Sequence, residues 1–149
     1  MSNIFNDEFR DFLTALNNQQ VRYLLVGGYS VILHGYSRTT GDMDIWVERT
    51  KDNYQLLKRA FEQFGMPVFD MTEENFINHP HWDVYTFGNP PVAIDIMVKL
   101  QGLDFNKAYK NAVLFEDESL SVRTIHKNDL ITAKKTVGRS KDKNDLENL

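Results

Sequence analysis

The 149-residue sequence contains no cysteine, which excludes a disulfide framework and a zinc–thiolate site. It also lacks any run of 18 consecutive apolar residues, so no membrane-spanning helix is expected. A secretory leader begins with basic residues and continues with a long apolar segment. The first seven residues here are polar and acidic instead, so no secretory leader is expected. Together these absences predict a cytoplasmic protein that does not insert into a membrane.

The composition is typical of one soluble domain that spans residues 1–149. Hydrophobic residues make up 42% of the chain and charged residues 26%, and the net charge is −4. Residues 1–120 contain 10 Lys+Arg and 17 Asp+Glu, whereas residues 121–149 contain 7 and 4. The basic C-terminal segment suits an anionic substrate, although a solvated helix surface is the alternative explanation.

A strand followed by a glycine pair is the first informative motif. Tyr23–Val26 is wholly apolar and is followed by Gly27 and Gly28, which is typical of a buried strand that ends at a turn. Residues 30–34 have room for a short helix. Backbone N–H groups in such a turn are suited to phosphate oxygens. The chain lacks the P-loop and dinucleotide-binding motifs, so a simple tight turn remains the alternative.

Three aspartates are associated with predicted strands. Asp42 and Asp44 are two residues apart, so on a strand they share one face at roughly 6 to 7 Å. Asp95 lies in the middle of the apolar run Val92–Val98, where an ionised group is costly unless it is paired or binds metal. A salt bridge to a cation such as Lys99, or simple solvation, is the alternative. Three carboxylates on neighbouring strands are the oxygen ligands that Mg²⁺ prefers.

The remaining patterns predict an α/β (α+β) fold, a mixed sheet with flanking helices. A hairpin formed by residues 83–87 and 92–98 is expected to place Asp95 beside the strand of Asp42 and Asp44. The pattern of residues 66–82 does not define one element. Residues 70–78 are expected to be a loop or a short helix, and the histidines of this stretch are not expected to bind metal. Further predictions are helices at 6–17, 50–65, 103–111 and 129–137, edge strands at 113–115 and 120–125, and a last helix capped by Ser140.

Helical spacing places Lys134 on the apolar stripe of its helix, whereas Lys135 points elsewhere. The Lys134 side chain is expected either to extend to the surface or to deliver its ammonium group to the acidic cleft. Trp46, Trp82 and Tyr85 offer a stacking surface for a base, but we expect core packing for at least two of them.

The glycine pair, Asp42-x-Asp44 and the later Asp95 resemble the signature of the DNA polymerase β-type nucleotidyltransferase superfamily, in particular its small stand-alone bacterial members. The segment VGGYSVILHGYSRTTGDMDIWV and the tail DLITAKKTVGRSKDKNDLENL are both similar to that group. More distantly, the chain resembles the nucleotidyltransferases of abortive-infection toxin–antitoxin systems and the antibiotic-modifying nucleotidyltransferases. The resemblance implies the nucleotidyltransferase fold and transfer of a nucleoside monophosphate from a nucleoside triphosphate such as ATP.

The resemblance also implies a role for each motif residue. Asp42, Asp44 and Asp95 would be catalytic and would hold two Mg²⁺ ions, with Mn²⁺ as the alternative ion, and Asp95 would also act on the acceptor hydroxyl. The implied nucleotide-binding residues are Gly27, Gly28 and Ser30 for the outer phosphates, and Arg38 and Lys134 for the leaving pyrophosphate. The charge of Arg139 makes it a third candidate for the pyrophosphate.

The sequence leaves the acceptor open among an RNA end, a protein side chain and a small molecule. Two other functions also remain: a catalytically silent nucleotide-binding or regulatory module, and a partner-binding subunit of a two-gene system. A protein partner and a homo-oligomer are both compatible with the sequence.

Overall fold

The structure is a computed structural model that describes residues 4–36, 40–89, 92–138 and 140–149. Its helices are α1 (Asp7–Asn18), α2 (Gly27–Leu33), α3 (Lys51–Phe64), α4 (Glu73–Asn78), α5 (Phe105–Asn111), α6 (Lys127–Val137) and α7 (Ser140–Asn148). Its strands are β1 (Tyr23–Val26), β2 (Met43–Val47), β3 (Val84–Phe87), β4 (Ile94–Met97), β5 (Val113–Asp117) and β6 (Leu120–Thr124). Within the described residues, no helix is long and apolar enough to cross a membrane.

The six strands form one sheet in the order β3-β4-β2-β1-β6-β5. Strand β2 pairs antiparallel with β1 and parallel with β4, so the predicted mixed sheet is confirmed. Strands β3 and β4 form the predicted antiparallel hairpin. The prediction of two edge strands near the C-terminus is wrong for β6, because β6 returns parallel to β1 and leaves β5 at the edge.

Side-chain alternation along the strands divides the core between the two faces of the sheet. Met43 and Ile45 of β2 belong to the core that includes α1 and α3. Trp46, on the opposite face, belongs to a second core to which α5 and α6 contribute Ala108 and Leu130. Asp44 therefore lies on the α5–α6 face of the sheet.

Local capping signals explain where most helices begin and end. The Asn6 side chain accepts a hydrogen bond from the Phe9 N–H at 2.8 Å, and the Thr50 side chain accepts one from the Asn53 N–H at 3.2 Å. Gly65 ends α3 in the left-handed conformation, with φ of 89°. The predicted helices α1 and α3 are thus confirmed, and the difficult stretch 66–82 contains the short helix α4.

Helices α2 and α6 begin earlier in the chain than predicted. Helix α2 begins at Gly27, three residues earlier than expected, because Gly27 has φ of 69° and turns the extended chain directly into the helix. Helix α6 begins at Lys127, because the His126 side chain accepts a hydrogen bond from the Asn128 N–H at 3.0 Å.

The three aromatic side chains considered for base stacking differ in exposure. Trp46 is 2% exposed and Tyr85 is 6% exposed, so the prediction that at least two of the three pack in the core is confirmed. Trp82 is 40% exposed and stacks on His79, with 4.0 Å between the ring centroids.

Candidate active site

Asp44 and Asp95 are direct partners in the parallel pairing of β2 and β4. Partnered residues of adjacent strands point to the same face of a sheet, and the strands lie about 4.8 Å apart. Asp42 immediately precedes β2 and is partly exposed. The predicted position of Asp95 beside the Asp42–Asp44 strand is therefore confirmed.

Gly27 provides the space in which the Asp44 carboxylate lies. Val26 is the antiparallel partner of Asp44, and the chain turns away from the sheet one residue later at Gly27. A Cβ atom built on Gly27 would overlap with Oδ2 of Asp44. The φ of 69° at Gly27 is a second reason for glycine, since this left-handed conformation is unfavourable for residues with a side chain.

The first turn of α2 lies next to this contact. Its N-cap residue is Val26, whose apolar side chain cannot accept a hydrogen bond from the first-turn N–H groups. Gly27 and Gly28, the predicted phosphate-binding residues, open that turn. The positive end of the helix dipole favours an anion at this position.

Ser30 lies in the core rather than on the surface of the site. Its side chain is 0% exposed, and its Oγ lies 2.6 Å from Oγ1 of Thr124, which in turn donates a hydrogen bond to the Leu25 carbonyl at 3.1 Å. Ser30 thus ties α2 to β6. The predicted contact between Ser30 and phosphate requires another side-chain conformation and remains a prediction.

Asp95 is held by a neutral donor from the edge strand. The Thr86 hydroxyl donates a hydrogen bond to Oδ1 of Asp95 at 2.7 Å, and the two residues are partners in the β3–β4 pairing. Asp95 forms no ion pair with any described residue, so the alternative of a salt bridge to Lys99 is not found there. A partly exposed carboxylate with one neutral donor retains lone pairs for a ligand.

The carboxylate oxygens of the aspartates are suitable ligands for a hard divalent cation, but the described side chains do not form a preassembled metal site. No group of three or more acidic or histidine side chains converges on a metal position in the described part of the chain. Asp44 is directed to Gly27 and Asp95 to Thr86. Both side chains lie on the same face of adjacent strands, and their oxygen atoms are the ligands that Mg²⁺ and Mn²⁺ use.

A small cavity of about 60 Å³ lies between Asp44 and the C-terminal helices. Its lining residues are Val26, Gly27, Asp44, Met97, Leu100, Leu130, Ala133, Lys134 and Asp142. Helices α6 and α7 therefore form one wall of the candidate site.

The inward direction predicted for Lys134 is confirmed, since this residue is 6% exposed whereas Lys135 is exposed. Its ammonium group pairs with Oδ2 of Asp145 at 2.9 Å and with Oδ1 of Asp142 at 3.2 Å. Both carboxylates are buried, at 2% and 0% exposure. Lys134 thus reaches the cavity while it joins α6 to α7.

Sequence reasoning missed Asp142 and Asp145. Their three-residue spacing, which places both on one face of a helix, was the available signal. Arg38 and Arg139, both predicted to bind nucleotide, lie outside the described residues.

Comparison with known proteins identifies a family and a similar fold. The profile of one family, described as "Nucleotidyltransferase of unknown function (DUF6036)", matches residues 7–149. The fold is similar to the crystal structure of a "putative nucleotidyltransferase" from Thermotoga maritima, with a TM-score of 0.57 and 15% sequence identity over 94% of this chain and 88% of that one. No curated protein matches the sequence.

Proposed function

The chain belongs to a family of nucleotidyltransferases of unknown function, and from this premise we propose that it transfers a nucleoside monophosphate from a nucleoside triphosphate to a hydroxyl acceptor. The observation that carries the proposal is the in-register pairing of Asp44 with Asp95, at the end of the sheet where the glycine turn opens α2. This arrangement supports the proposal, because two carboxylates and the start of α2 lie at one end of the sheet, where they would bind a metal ion and phosphate.

Asp42, Asp44 and Asp95 are the residues that would hold two Mg²⁺ ions, or Mn²⁺ in their place. When bound, such ions neutralise phosphate oxygens and favour in-line displacement. The N–H groups of Gly27 and Gly28 would bind the outer phosphates, where the helix dipole favours negative charge. Lys134 lines the far wall of the cavity, and its ammonium group would have to leave Asp142 and Asp145 to reach a phosphate.

Asp95 is the group that we assign to the acceptor. Its carboxylate would take the proton of the acceptor hydroxyl as the oxygen attacks the α-phosphorus. The new bond joins that oxygen to the α-phosphorus, the bond to the β-phosphate oxygen breaks, and pyrophosphate leaves. The Thr86 hydroxyl positions the carboxylate by donating to Oδ1.

The test is label transfer by the purified protein. The protein is incubated with Mg²⁺ and each α-labelled nucleoside triphosphate, together with total RNA, total protein or a metabolite extract. We expect one acceptor fraction to become labelled by the wild type and by Asp11→Asn, an exposed residue of α1, but not by Asp44→Asn. Label transfer that persists in Asp44→Asn would contradict the assigned site.

The second candidate is a nucleotide-binding or regulatory module without transfer activity. It is favoured by the pairing of Lys134 with two carboxylates of α7, which offsets the positive charge that the transfer reaction would use. This candidate predicts thermal stabilisation by nucleotide without label transfer, because ligand at 100 times its dissociation constant adds about 2.7 kcal/mol. A partner-binding subunit with a vestigial site predicts neither effect.

A further inference from the structure

A groove runs along the outer edge of β3. It lies between that strand and residues 68–71 and has a volume of about 240 Å³. Its lining residues are Val68, Phe69, Asp70, Met71, Trp82, Val84, Tyr85, Thr86 and Phe87. The candidate active site does not include this groove, although Thr86 lines it and also bonds Asp95.

The backbone of β3 offers hydrogen-bonding groups to the groove. The Val98 N–H donates to the Asp83 carbonyl at 2.9 Å, so Asp83 belongs to a hydrogen-bonded pair with the β4 side. Because the pairs alternate in an antiparallel ladder, Val84 and Thr86 direct their N–H and C=O groups away from β4. Among the described residues, no other backbone group bonds to this edge.

Exposed apolar side chains flank these backbone groups. Phe69 is 69% exposed, Val84 is 47% exposed and Trp82 is 40% exposed. Phe69 also has φ of 49°, a strained conformation for a bulky residue that presents its ring at the wall of the groove. Strand β3 has the sequence VYTF and contains none of the lysines or prolines that usually protect an edge strand.

Tyr85 adds an unsatisfied polar group. It lines the groove and is 6% exposed, and its buried hydroxyl has no hydrogen-bond partner among the described residues. Burial raises the pKa of Tyr85, while the positive charge of Arg49 acts in the opposite direction and the carboxylate of Asp83 adds to the rise. A buried donor without a partner is costly, and the Tyr85 side chain would have to move for a ligand in the groove to reach the hydroxyl.

Charge and shape indicate which occupant fits. Asp70 lines the groove and Asp83 precedes β3, so a phosphate backbone would meet negative charge, whereas lysine or arginine side chains would be attracted. Residues 68–71 form the opposite wall of the groove. A second copy of this protein would have to bring its own sheet against that wall.

We propose that the groove binds an extended polypeptide segment, which adds to the sheet beside β3. Its backbone pairs with Val84 and Thr86, its apolar side chains pack on Phe69 and Trp82, and its basic side chains face the two aspartates. The proposal does not depend on catalysis. Thr86 connects the groove to the candidate active site, since only β3 would separate a docked segment from β4 and Asp95.

The probe is an acetylated and amidated hexapeptide that alternates lysine and valine. Titration of the full-length, isotope-labelled protein should shift the amide resonances of Val84 and Thr86 at millimolar peptide. Two matched peptides should each bind about threefold to tenfold more weakly. In one, alternate amides are methylated, which removes backbone hydrogen bonds. In the other, glutamate replaces lysine, which reverses the charge. Absence of shifts at Val84 and Thr86 overturns the proposal.

Val84→Pro removes an N–H group that faces away from β4 and leaves every hydrogen bond between β3 and β4 in place, so the fold should persist. Unchanged amide resonances elsewhere in the protein will show that it does. It should weaken peptide binding about threefold to tenfold, whereas Val84→Thr, which keeps the N–H and the branched shape, should bind like the wild type. Equal binding by the two variants overturns the proposal. Tighter binding of a uridine hexanucleotide than of the lysine–valine peptide would also overturn the proposal. A dimer that ultracentrifugation detects and that Val84→Pro abolishes would overturn it as well, because a second copy would then occupy this edge.

Discussion

The Asp44 carboxylate occupies the space that a side chain at Gly27 would fill. Oδ2 of Asp44 lies where the Cβ atom of any other residue at position 27 would be placed. This contact joins the end of β1 and the start of α2 to the strand that carries the aspartates. The glycine therefore serves the carboxylate directly, in addition to the role in phosphate binding that we propose for it.

Gly27→Ala should damage both the fold and the site. The left-handed backbone costs about 1 to 2 kcal/mol for alanine, and the new methyl group must displace Asp44. We expect a lower free energy of unfolding in urea and loss of nucleotide-dependent thermal stabilisation. Gly41→Ala is the control, because a Cβ atom there meets nothing within 4 Å. Equal behaviour of the two variants would show that Asp44 does not need this space.

Asp44→Asn should separate metal and nucleotide binding from folding. The substitution removes a negative charge opposite Asp95, so the free energy of unfolding without metal should change by less than about 1 kcal/mol. Calorimetry should detect no Mg²⁺-dependent nucleotide binding. A large fall in the melting temperature of the metal-free protein would instead assign Asp44 a structural role.

Asp95→Asn should separate binding from transfer. The amide oxygen can still accept the Thr86 hydrogen bond, so the fold and part of the nucleotide affinity should remain. Label transfer should fall by at least roughly 100-fold, the effect of losing a positioned general base. Nucleotide affinity and transfer are measured on the same preparation. If Asp95→Asn unfolds the protein while Asp42→Asn and Asp44→Asn do not, the three-aspartate site is wrong.

Lys134→Ala should destabilise the protein, because it removes the ammonium group that the buried Asp142 and Asp145 share. Removing one partner of a buried ionic group costs about 3 to 5 kcal/mol, whereas Lys135→Ala on the exposed face should stay within about 0.5 kcal/mol. Urea unfolding compares the two. Combining Lys134→Met with Asp142→Asn and Asp145→Asn should recover stability.

Nucleotide affinity of the Lys134 variants is measured below their unfolding temperature. We expect much weaker triphosphate binding in both Lys134 variants and unchanged binding in Lys135→Ala. Equal affinities in all three would place the ammonium group outside the nucleotide site.

Alkaline pH should destabilise the protein through Tyr23. Burial raises the pKa of Tyr23 from 10.0 to about 12, while its hydroxyl donates to Asn17 Oδ1 at 2.8 Å. The unfolded chain loses this proton first, so the folded state becomes less stable as pH rises from 10 to 12, by about 2 to 3 kcal/mol in total. Urea unfolding at pH 8 to 11 should show a shallower decline for Tyr23→Phe. If the free energy of unfolding of Tyr23→Phe fell with pH as steeply as that of the wild type, other groups would be responsible for the loss of stability at alkaline pH.

Local patterns in the sequence were sufficient to predict much of the fold. The apolar stripe of α1, the Thr50 cap and Gly65 define two helices through interactions within a few residues. The hairpin that returns Asp95 to the strand of Asp44 also follows from local spacing. These predictions succeed because each depends on the period of a helix, a strand or a turn.

Only the tertiary structure decided which distant groups meet. The burial of Ser30 against Thr124, the pairing of Lys134 with Asp142 and Asp145, and the interior position of β6 each join residues from separate elements. The topology of the sheet and helices determines these contacts, and the periodicity of residues within one element does not reveal that topology. By itself the sequence determined which residues share a face, and the packing of α2, α6 and α7 determined what each face contacts.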